Sequence, residues 1–315
     1  MTITEPSITI LMAVYNGEKY ITEQIESIIN QTNNNWKLII QDDGSVDRTC
    51  EIAEKFVNRY KNKIYFFRRD CASGSAKNNF FDMFHRYVGT DYIMTCDQDD
   101  VWLSDKIETT YMKMLEVEKT IGKDKPVLIH TDLTITDDQL NNIARSLITY
   151  ERLDYTRNGF NNLLVQNIVT GCTMMINRAL ADKIHNIPEA ALMHDWWCAL
   201  VAAAFGHIGF IDKPTVLYRQ HKGNEVGAKN VDKISYIFKE MIYMEQTCSA
   251  LNSTYVQAES FMQAYCDQLS EENKRVLAAY ISIPTVNKLK RMEIISKFDF
   301  WKTSLSRQIG QILFA

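Results

Sequence analysis

The chain has 315 residues, 46% hydrophobic and 23% charged, enough for one large α/β domain with an appendage or for two domains around a sizeable core. Its net charge of −4 argues against a nucleic-acid binder, which carries a strong basic excess. Seven Cys, at 50, 71, 96, 172, 198, 248 and 266, form no C-x-x-C pair, which disfavours a disulfide framework or zinc site and suits a reducing cytoplasm.

Met1 to Ile8 lacks a basic region followed by an apolar one, so no secretory signal is expected. Ile8 to Val14 is an unbroken β-branched and apolar run, the pattern of a strand buried on both faces. Tyr15-Asn16-Gly17 ends it, and Ile21, Ile25, Ile28 and Ile29 then mark an amphipathic helix to about Gln31. Trp36 to Gln41 reads as a second strand that runs into Asp42-Asp43-Gly44-Ser45. A helix follows on Ala53, Phe56, Val57 and Tyr60, with Ser45 or Asp47 as candidate N-cap. Ile64 to Arg68 is a third strand. Beyond it lie a polar loop (Asp70 to Asn79) and a helix with Phe80, Phe81, Phe84 and Tyr87. The fourth strand begins at Tyr92 and stops abruptly at Asp97-Gln98-Asp99-Asp100-Val101-Trp102.

Strand and helix thus alternate to about residue 120, which predicts a parallel sheet with right-handed crossovers. The first strand–helix turn contains neither G-x-G-x-x-G nor a Walker A motif, which weakens a nicotinamide or P-loop reading. Farther on, Val127 to Thr131 and Thr170 to Ile176 read as strands, and Asp137 to Thr149 as a loop or hairpin. His194-Asp195-Trp196-Trp197 opens an apolar helix to about Phe205, far too short to span a bilayer. Ile208 to Tyr218 forms one or two strands, ending in Arg219-Gln220-His221.

After about residue 230 only helical patterns remain, so residues 1–230 are expected to form the catalytic domain and 231–315 a helical region. Residues 286–315 read as a basic amphipathic helix, with six basic and two acidic residues against −8 for the remainder. Trp301 and Phe298 lie on its apolar side. That pattern suits an anionic membrane surface, or packing on the catalytic domain or a second subunit in a homo-oligomer.

Three carboxylates in four positions repel one another unless a cation lies among them, and a hard divalent ion takes such oxygen ligands. V-Y-N near the start, D-D-G-S-x-D-x-T, D-x-D-D and a late H-D-W resemble the family 2 glycosyltransferases, over residues 7 to about 225. The D-Q-D-D-V-W and H-D-W-W forms look most like bacterial rhamnosyltransferases of cell-wall or capsular polysaccharide synthesis. The resemblance implies the glycosyltransferase A fold, a Rossmann-like mixed α/β sheet flanked by helices. It also implies a nucleotide-sugar donor, dTDP-L-rhamnose first and a UDP-hexose second, and a saccharide or polyprenyl-linked acceptor at the inner membrane face.

By the same resemblance, Val14, Tyr15, Asn16, Asp42, Asp43, Lys77 and Asp97 bind the donor nucleotide. The two early carboxylates would accept the imide N–H of uracil or thymine. Asp99 and His221 hold Mn²⁺ or Mg²⁺, the imidazole favouring Mn²⁺. Asp195 is the general base of an inverting displacement. Trp102, Gly171, Cys172, Trp196 and Trp197 border the acceptor. Two other classes are weighed against this one. A haloacid-dehalogenase-like phosphatase shares the D-x-D-x-V strand end but carries it on its first strand. A catalytically silent nucleotide-sugar-binding subunit would not need all these carboxylates.

Overall fold

The computed structural model describes residues 7–86, 90–184, 187–221, 223–224, 227–228 and 244–314. Tyr87, expected on the third helix, and the boundary expected at 230/231 lie outside them. The chain folds as two compact units. The first comprises Met1–Ser146, Val169–Asn186 and Gly206–Gly227; the second comprises Leu147–Ile168, Ile187–Phe205 and Ala228–Ala315. Two stretches that precede residue 230 therefore join the C-terminal helices, and the second unit is wider than the composition change implies.

In the first unit, β1 (Ile8–Val14), β2 (Trp36–Asp42), β3 (Ile64–Arg68) and β4 (Tyr92–Cys96) alternate with α1 (Ile21–Ile29), α2 (Thr49–Arg59) and α3 (Ala76–Arg86). All seven residues of β1 are buried, which is why its run is apolar without alternation. Its neighbours β2 and β4 are both parallel to it, pairing Val14 with Asp42 and Met12 with Cys96, so the three strands end along one edge. β3 lies outside β2. The chain thus winds away from β1 on both sides, and the crevice beyond the carboxyl ends at such a reversal is where open α/β sheets hold ligands.

The sheet continues through β5 (Val101–Trp102), β6 (Val127–Thr136), β7 (Asn142–Ala144), β8 (Met175–Asn177) and β9 (His207–Arg219), with α4 (Lys106–Ile121) before β6. The strand order is β3-β2-β1-β4-β8-β6-β9-β5, and β7 pairs with β6. β8 is antiparallel to both β4 and β6, which makes the sheet mixed. Ile208 to Tyr218 belongs to a single strand, β9, whose register against β6 shifts where Pro214 faces Asp132. Proline has no N–H to give the ladder there. The hairpin reading of 137–149 holds for β6 and β7: the Asp137 carboxylate closes their turn, accepting from Gln139 N and Asn141 N at 2.9 Å each. The strand expected over Thr170 to Ile176 is shorter. Gly171–Thr173 coils into a 3₁₀ turn, with Thr173 donating from its backbone N and its hydroxyl to Thr170 O, and only then does β8 begin. Gly206 can be no other residue without a shift, since a Cβ there would sit 1.8 Å from Pro126 O.

The second unit contains α5 (Phe160–Val165), α6 (His194–Phe205), α7 (Met244–Tyr265), α8 (Glu271–Ser282), α9 (Lys288–Phe298) and α10 (Leu305–Phe314). α6 matches its expected bounds. It is apolar nearly all round because it is buried nearly all round, from His194 to Ala202. Trp197 meets Phe261 edge-on at 5.2 Å, and Tyr280 meets Phe300 at 4.9 Å. The single helix expected over 286–315 is in fact two. α9 ends where Asp299 turns left-handed (φ 54°), and Phe300 drops into the core with no exposed surface. Side chains from outside the helix satisfy the freed carbonyls: Asn161 donates to Phe298 O, Arg157 and Asn162 to Asp299 O. The apolar stripe divides in consequence. Ile294 and Ile295 pack, whereas Leu289 and Leu305 stay 85% and 72% exposed.

Candidate active site

Along the carboxyl edge of β1, β2 and β4, the turn after β1 is tied down residue by residue. Tyr15 is clamped by the Gln98 amide, which accepts from Tyr15 N and donates to Tyr15 O, both at 2.9 Å. Gln98 reaches it across Gly17, where a Cβ would lie 2.2 Å from the Gln98 Oε1. Asn16 adopts φ 48°, donates from its N to Ser45 Oγ (2.8 Å) and accepts from Val46 N (2.9 Å). Val14 O accepts from Asp43 N at 2.9 Å. Val14, Tyr15, Asn16, Asp42 and Asp43 are therefore one connected wall.

The two early carboxylates are spent within that wall. Asp42, wholly buried, accepts from Gly44 N and Ser45 N and faces Arg68 at 3.5 Å. Asp43 accepts from Ser73 N (2.7 Å), Ser73 Oγ (2.9 Å) and Gly74 N (3.0 Å), and pairs with Arg69 at 3.3 Å. Four donors use the lone pairs of a carboxylate. The expected direct contact of Asp43 with a base is thus taken up in this conformation by the loop that follows β3. Lys77 lies in the first turn of α3, half-buried, its ammonium 5.8 Å from the Phe81 ring centre.

The acidic loop after β4 is graded in exposure. Asp97 is partly exposed, Asp99 is 9% exposed and Asp100 is fully buried. Burial, then the charges of Asp99 and Asp97, push the Asp100 carboxyl well above the usual carboxylate range. Its Oδ1 accepts from Arg219 N at 3.1 Å. Ligand atoms of Asp97, Asp100 and Cys172 lie within 4.8 Å of one another, but burial also raises the Cys172 thiol, so an ion there must displace protons from two deep groups. Beneath them lies Lys106, fully buried, with its ammonium pushed down to about 8 by desolvation. It sits 4.8 Å over the Trp102 ring and 3.5 Å from Thr215 Oγ1.

Asp99 faces the other way. Its Oδ2 is 2.8 Å from His221 Nε2, while Gly223 N donates to Nδ1 at 3.0 Å, so the neutral ring carries its proton on Nε2 and gives it to Asp99. Ligand atoms about 2.1 Å from one octahedral ion stand roughly 3 Å apart, so the spacing of this carboxylate–imidazole pair suits a single Mn²⁺ or Mg²⁺, which would displace the Nε2 proton and release Gly223 N from Nδ1.

The acceptor residues need correction. Trp102 and Trp197 are 2% and 0% exposed and Cys172 is 1% exposed, so none presents a surface to a sugar in this conformation: Trp102 lies under the Lys106 ammonium, Cys172 beside Asp97 and Asp100, and Trp197 against Phe261. Gly171 is buried too, its carbonyl accepting from Thr95 Oγ1 at 2.6 Å. Trp196 is half-buried and donates from Nε1 to Leu163 O at 2.6 Å. Asp195 belongs to the second unit, in the first turn of α6, 8% exposed, with Oδ1 accepting from Trp196 N at 2.6 Å. Sequence reasoning assigned no role to Gln98, Tyr20, Lys106 or Arg219. For Gln98 and Arg219 a signal existed: one is the middle of the D-x-D, the other stands two residues before His221.

The acidic loop and the Asp99–His221 pair thus stand at the carboxyl edge where the sheet order reverses. Residues 9–184, more than half of the chain, match glycosyl transferase family 2, and the protein belongs to that family. It is 28% identical over 235 residues to the dTDP-rhamnosyl transferase RfbG of Shigella flexneri, covering 71% of this chain and 76% of that one. Among solved structures, residues 1-349 of S. aureus TarS in complex with UDP-GlcNAc align with a TM-score of 0.59 at 14% identity, over 93% of this chain and 80% of that one. The mannosyltransferase PcManGT from Pyrobaculum calidifontis, in complex with GDP-Man and Mn²⁺, aligns at 0.51 and 15% identity, over 93% and 74%. The fold is the glycosyltransferase A fold.

Proposed function

We propose that this glycosyltransferase is metal-dependent and inverting, and that it moves L-rhamnose from dTDP-L-rhamnose to a hydroxyl of a saccharide or lipid-linked acceptor in surface polysaccharide synthesis. One observation carries the metal reading: the Asp99–His221 pair, 2.8 Å apart at the strand edge. The sugar is supported by the likeness to the dTDP-rhamnosyl transferase.

In this reading Asp99 and His221 hold a divalent cation, which when bound supplies Lewis-acid stabilisation to the departing diphosphate. Asp97, the exposed member of the acidic loop, accepts a hydroxyl of the ribose or sugar. Asp42 shapes the turn beneath the base, and Asp43 holds the Ser73–Gly74 loop against it until the imide N–H takes over an oxygen. Lys77 adds positive charge on the nucleotide side. Asp195 takes the proton of the acceptor hydroxyl while that oxygen forms its bond to the anomeric carbon. The anomeric carbon–oxygen bond to the diphosphate breaks in the same step, and dTDP leaves with the electron pair. One displacement inverts the anomeric centre. Asp195 is the only buried carboxylate among the described residues of its unit, and a buried acid without a task is rare.

The second unit also supplies the membrane reading. Leu289 and Leu305 stand exposed in a segment of net charge +4, which suits the anionic cytoplasmic face of a membrane. No described helix is long and apolar enough to cross a bilayer.

The donor is tested by incubating purified protein with Mn²⁺ and a panel of nucleotide sugars and following nucleoside diphosphate release. dTDP-L-rhamnose is expected to turn over fastest. Release from UDP-hexoses alone would replace the sugar assignment, and release from none would overturn the enzymatic reading.

A further inference from the structure

Behind the Asp99–His221 pair sits a cation that the proposed chemistry does not use. Arg219, the last residue of β9, is 3% exposed. Its guanidinium reaches three elements at once. Nε donates to Asp99 O at 2.8 Å, Nη1 to Asp138 O at 2.6 Å, and Nη2 to Glu23 Oε2 on α1 at 2.6 Å. Its backbone N donates to Asp100 Oδ1, and its backbone O accepts from Asn224 Nδ2 at 2.9 Å, while Asn224 Oδ1 accepts from His221 N. The guanidinium carbon lies over the Tyr20 ring, 4.7 Å from its centre. Tyr20 in turn stacks on the His221 imidazole, centroids 4.7 Å apart and planes 25° apart. The Tyr20 hydroxyl donates to the Asp138 carboxylate, which Lys19 also holds at 2.7 Å.

We propose that Arg219 is the positioning residue of the ion site, holding the Asp99 main chain directly and the His221 ring through Tyr20, so that both donors stand ready before an ion arrives. The proposal rests on the assignment of the ion to Asp99 and His221. The physics favours arginine for this place. Two carbonyls and a carboxylate in three directions match a planar fork of donors, whereas a lysine ammonium is a point charge on a flexible stem and serves such a set poorly. A ligand left to rotate must be ordered by the ion itself, which weakens binding. Partners that orient metal ligands typically change metal affinity by about 10–100-fold.

The test measures the affinity of nucleoside diphosphate by calorimetry with and without Mn²⁺, and the electron paramagnetic resonance spectrum of the bound Mn²⁺. Wild type is expected to gain affinity with Mn²⁺. Arg219→Lys should keep the metal-free affinity, lose the gain by roughly 10–100-fold, and show a broadened Mn²⁺ spectrum from uneven ligation. Tyr20→Phe, which keeps the ring, should retain the gain that Tyr20→Leu loses. An Arg219→Lys protein with the wild-type gain and spectrum overturns the positioning role alone. Equal loss of metal-free and metal-dependent affinity in Arg219→Lys and Tyr20→Leu assigns them general structural damage, and also overturns it. A wild type that gains nothing from Mn²⁺ removes the ion assignment, and this proposal with it.

Discussion

The two units bury different things. Among the described residues of the sheet unit, six carboxylates are buried (Asp42, Asp43, Asp99, Asp100, Glu118 and Asp132), together with Lys106 and Arg219. In the helical unit the centre is aromatic and aliphatic, with Trp197, Phe261, Tyr280 and Phe300; its buried polar residues are mainly uncharged (Thr254, Gln257, Thr303, Gln311), and Asp195 is the only buried carboxylate among its described residues. Burying charge costs several kcal/mol per ion unless partners repay it, so the first unit has traded stability for a preset array of polar groups. The second unit has made no such trade except at one position. Under the proposed function, that contrast matches a division of roles: the proposed donor- and ion-binding groups belong to the first unit, and the proposed base, Asp195, to the second.

The largest test of that division is Asp195→Asn. The substitution keeps the shape and one acceptor oxygen for Trp196 N but removes the proton acceptor. General-base catalysis contributes about 10²–10⁴-fold, so turnover should fall by that factor while donor KM and Mn²⁺ affinity hold. Single-turnover transfer to a supplied acceptor measures it. A variant that transfers at a rate near wild type would make Asp195 a helix-start residue and leave the helical unit without a chemical role.

How much of this contrast is legible beforehand depends on the range over which the physics acts. β1 and α6 follow their apolar patterns almost to the residue, because a strand or helix buried nearly all round has no polar face to blur its ends. The acidic strand end is legible for the same reason: it is one continuous stretch. What is not legible is pairing across the chain. Nothing local marks Arg219 as the partner of Glu23, 196 positions away, or Lys106 as a lysine with no exposed surface, since it opens α4 as any surface lysine might open a helix. The break at Asp299 is equally hidden. It depends on Arg157, Asn161 and Asn162, which come from a stretch that carries no marked sequence pattern.

That break changes how the membrane reading is tested, and gives the second effect in size. Removing residues 286–315 would take Phe300 out of the core, so a truncation confuses unfolding with release. Replacing the exposed Leu289 and Leu305 by Ser leaves the core alone. Two leucines withdrawn from a bilayer surface are worth on the order of 3–4 kcal/mol, a few hundredfold in partitioning. Vesicles with anionic headgroups should retain wild type and release the double variant, with both chains showing the same thermal midpoint. Equal retention would mean that these leucines face water or another protein, and that the helical unit has no surface role of this kind.

The smallest effect sharpens the other side of the comparison, the buried charge of the sheet unit. Lys106 has its ammonium pushed down to about 8 from an ordinary 10.5, with burial as the first cause. Above 10.5 the amine is neutral in both the folded and the unfolded chain, and burial carries no penalty. Between 10.5 and 8 the unfolded chain binds a proton that the folded one does not, so stability declines as pH falls across that window and rises as pH is raised through it. Below about 8 the whole penalty is present, on the order of 3 kcal/mol. Other lysines and tyrosines titrate in the same range, so the useful quantity is a difference. Lys106→Met keeps the length and apolar stem and removes the charge. Urea unfolding at pH 7 should find the variant at least as stable as wild type, and the wild-type curve should then gain on it by that amount as pH rises from 8 to 10.5. Parallel curves would mean that Lys106 reaches water or a full counter-charge, and that the sheet unit holds less unpaid electrostatic strain beneath its acidic loop than its burial implies.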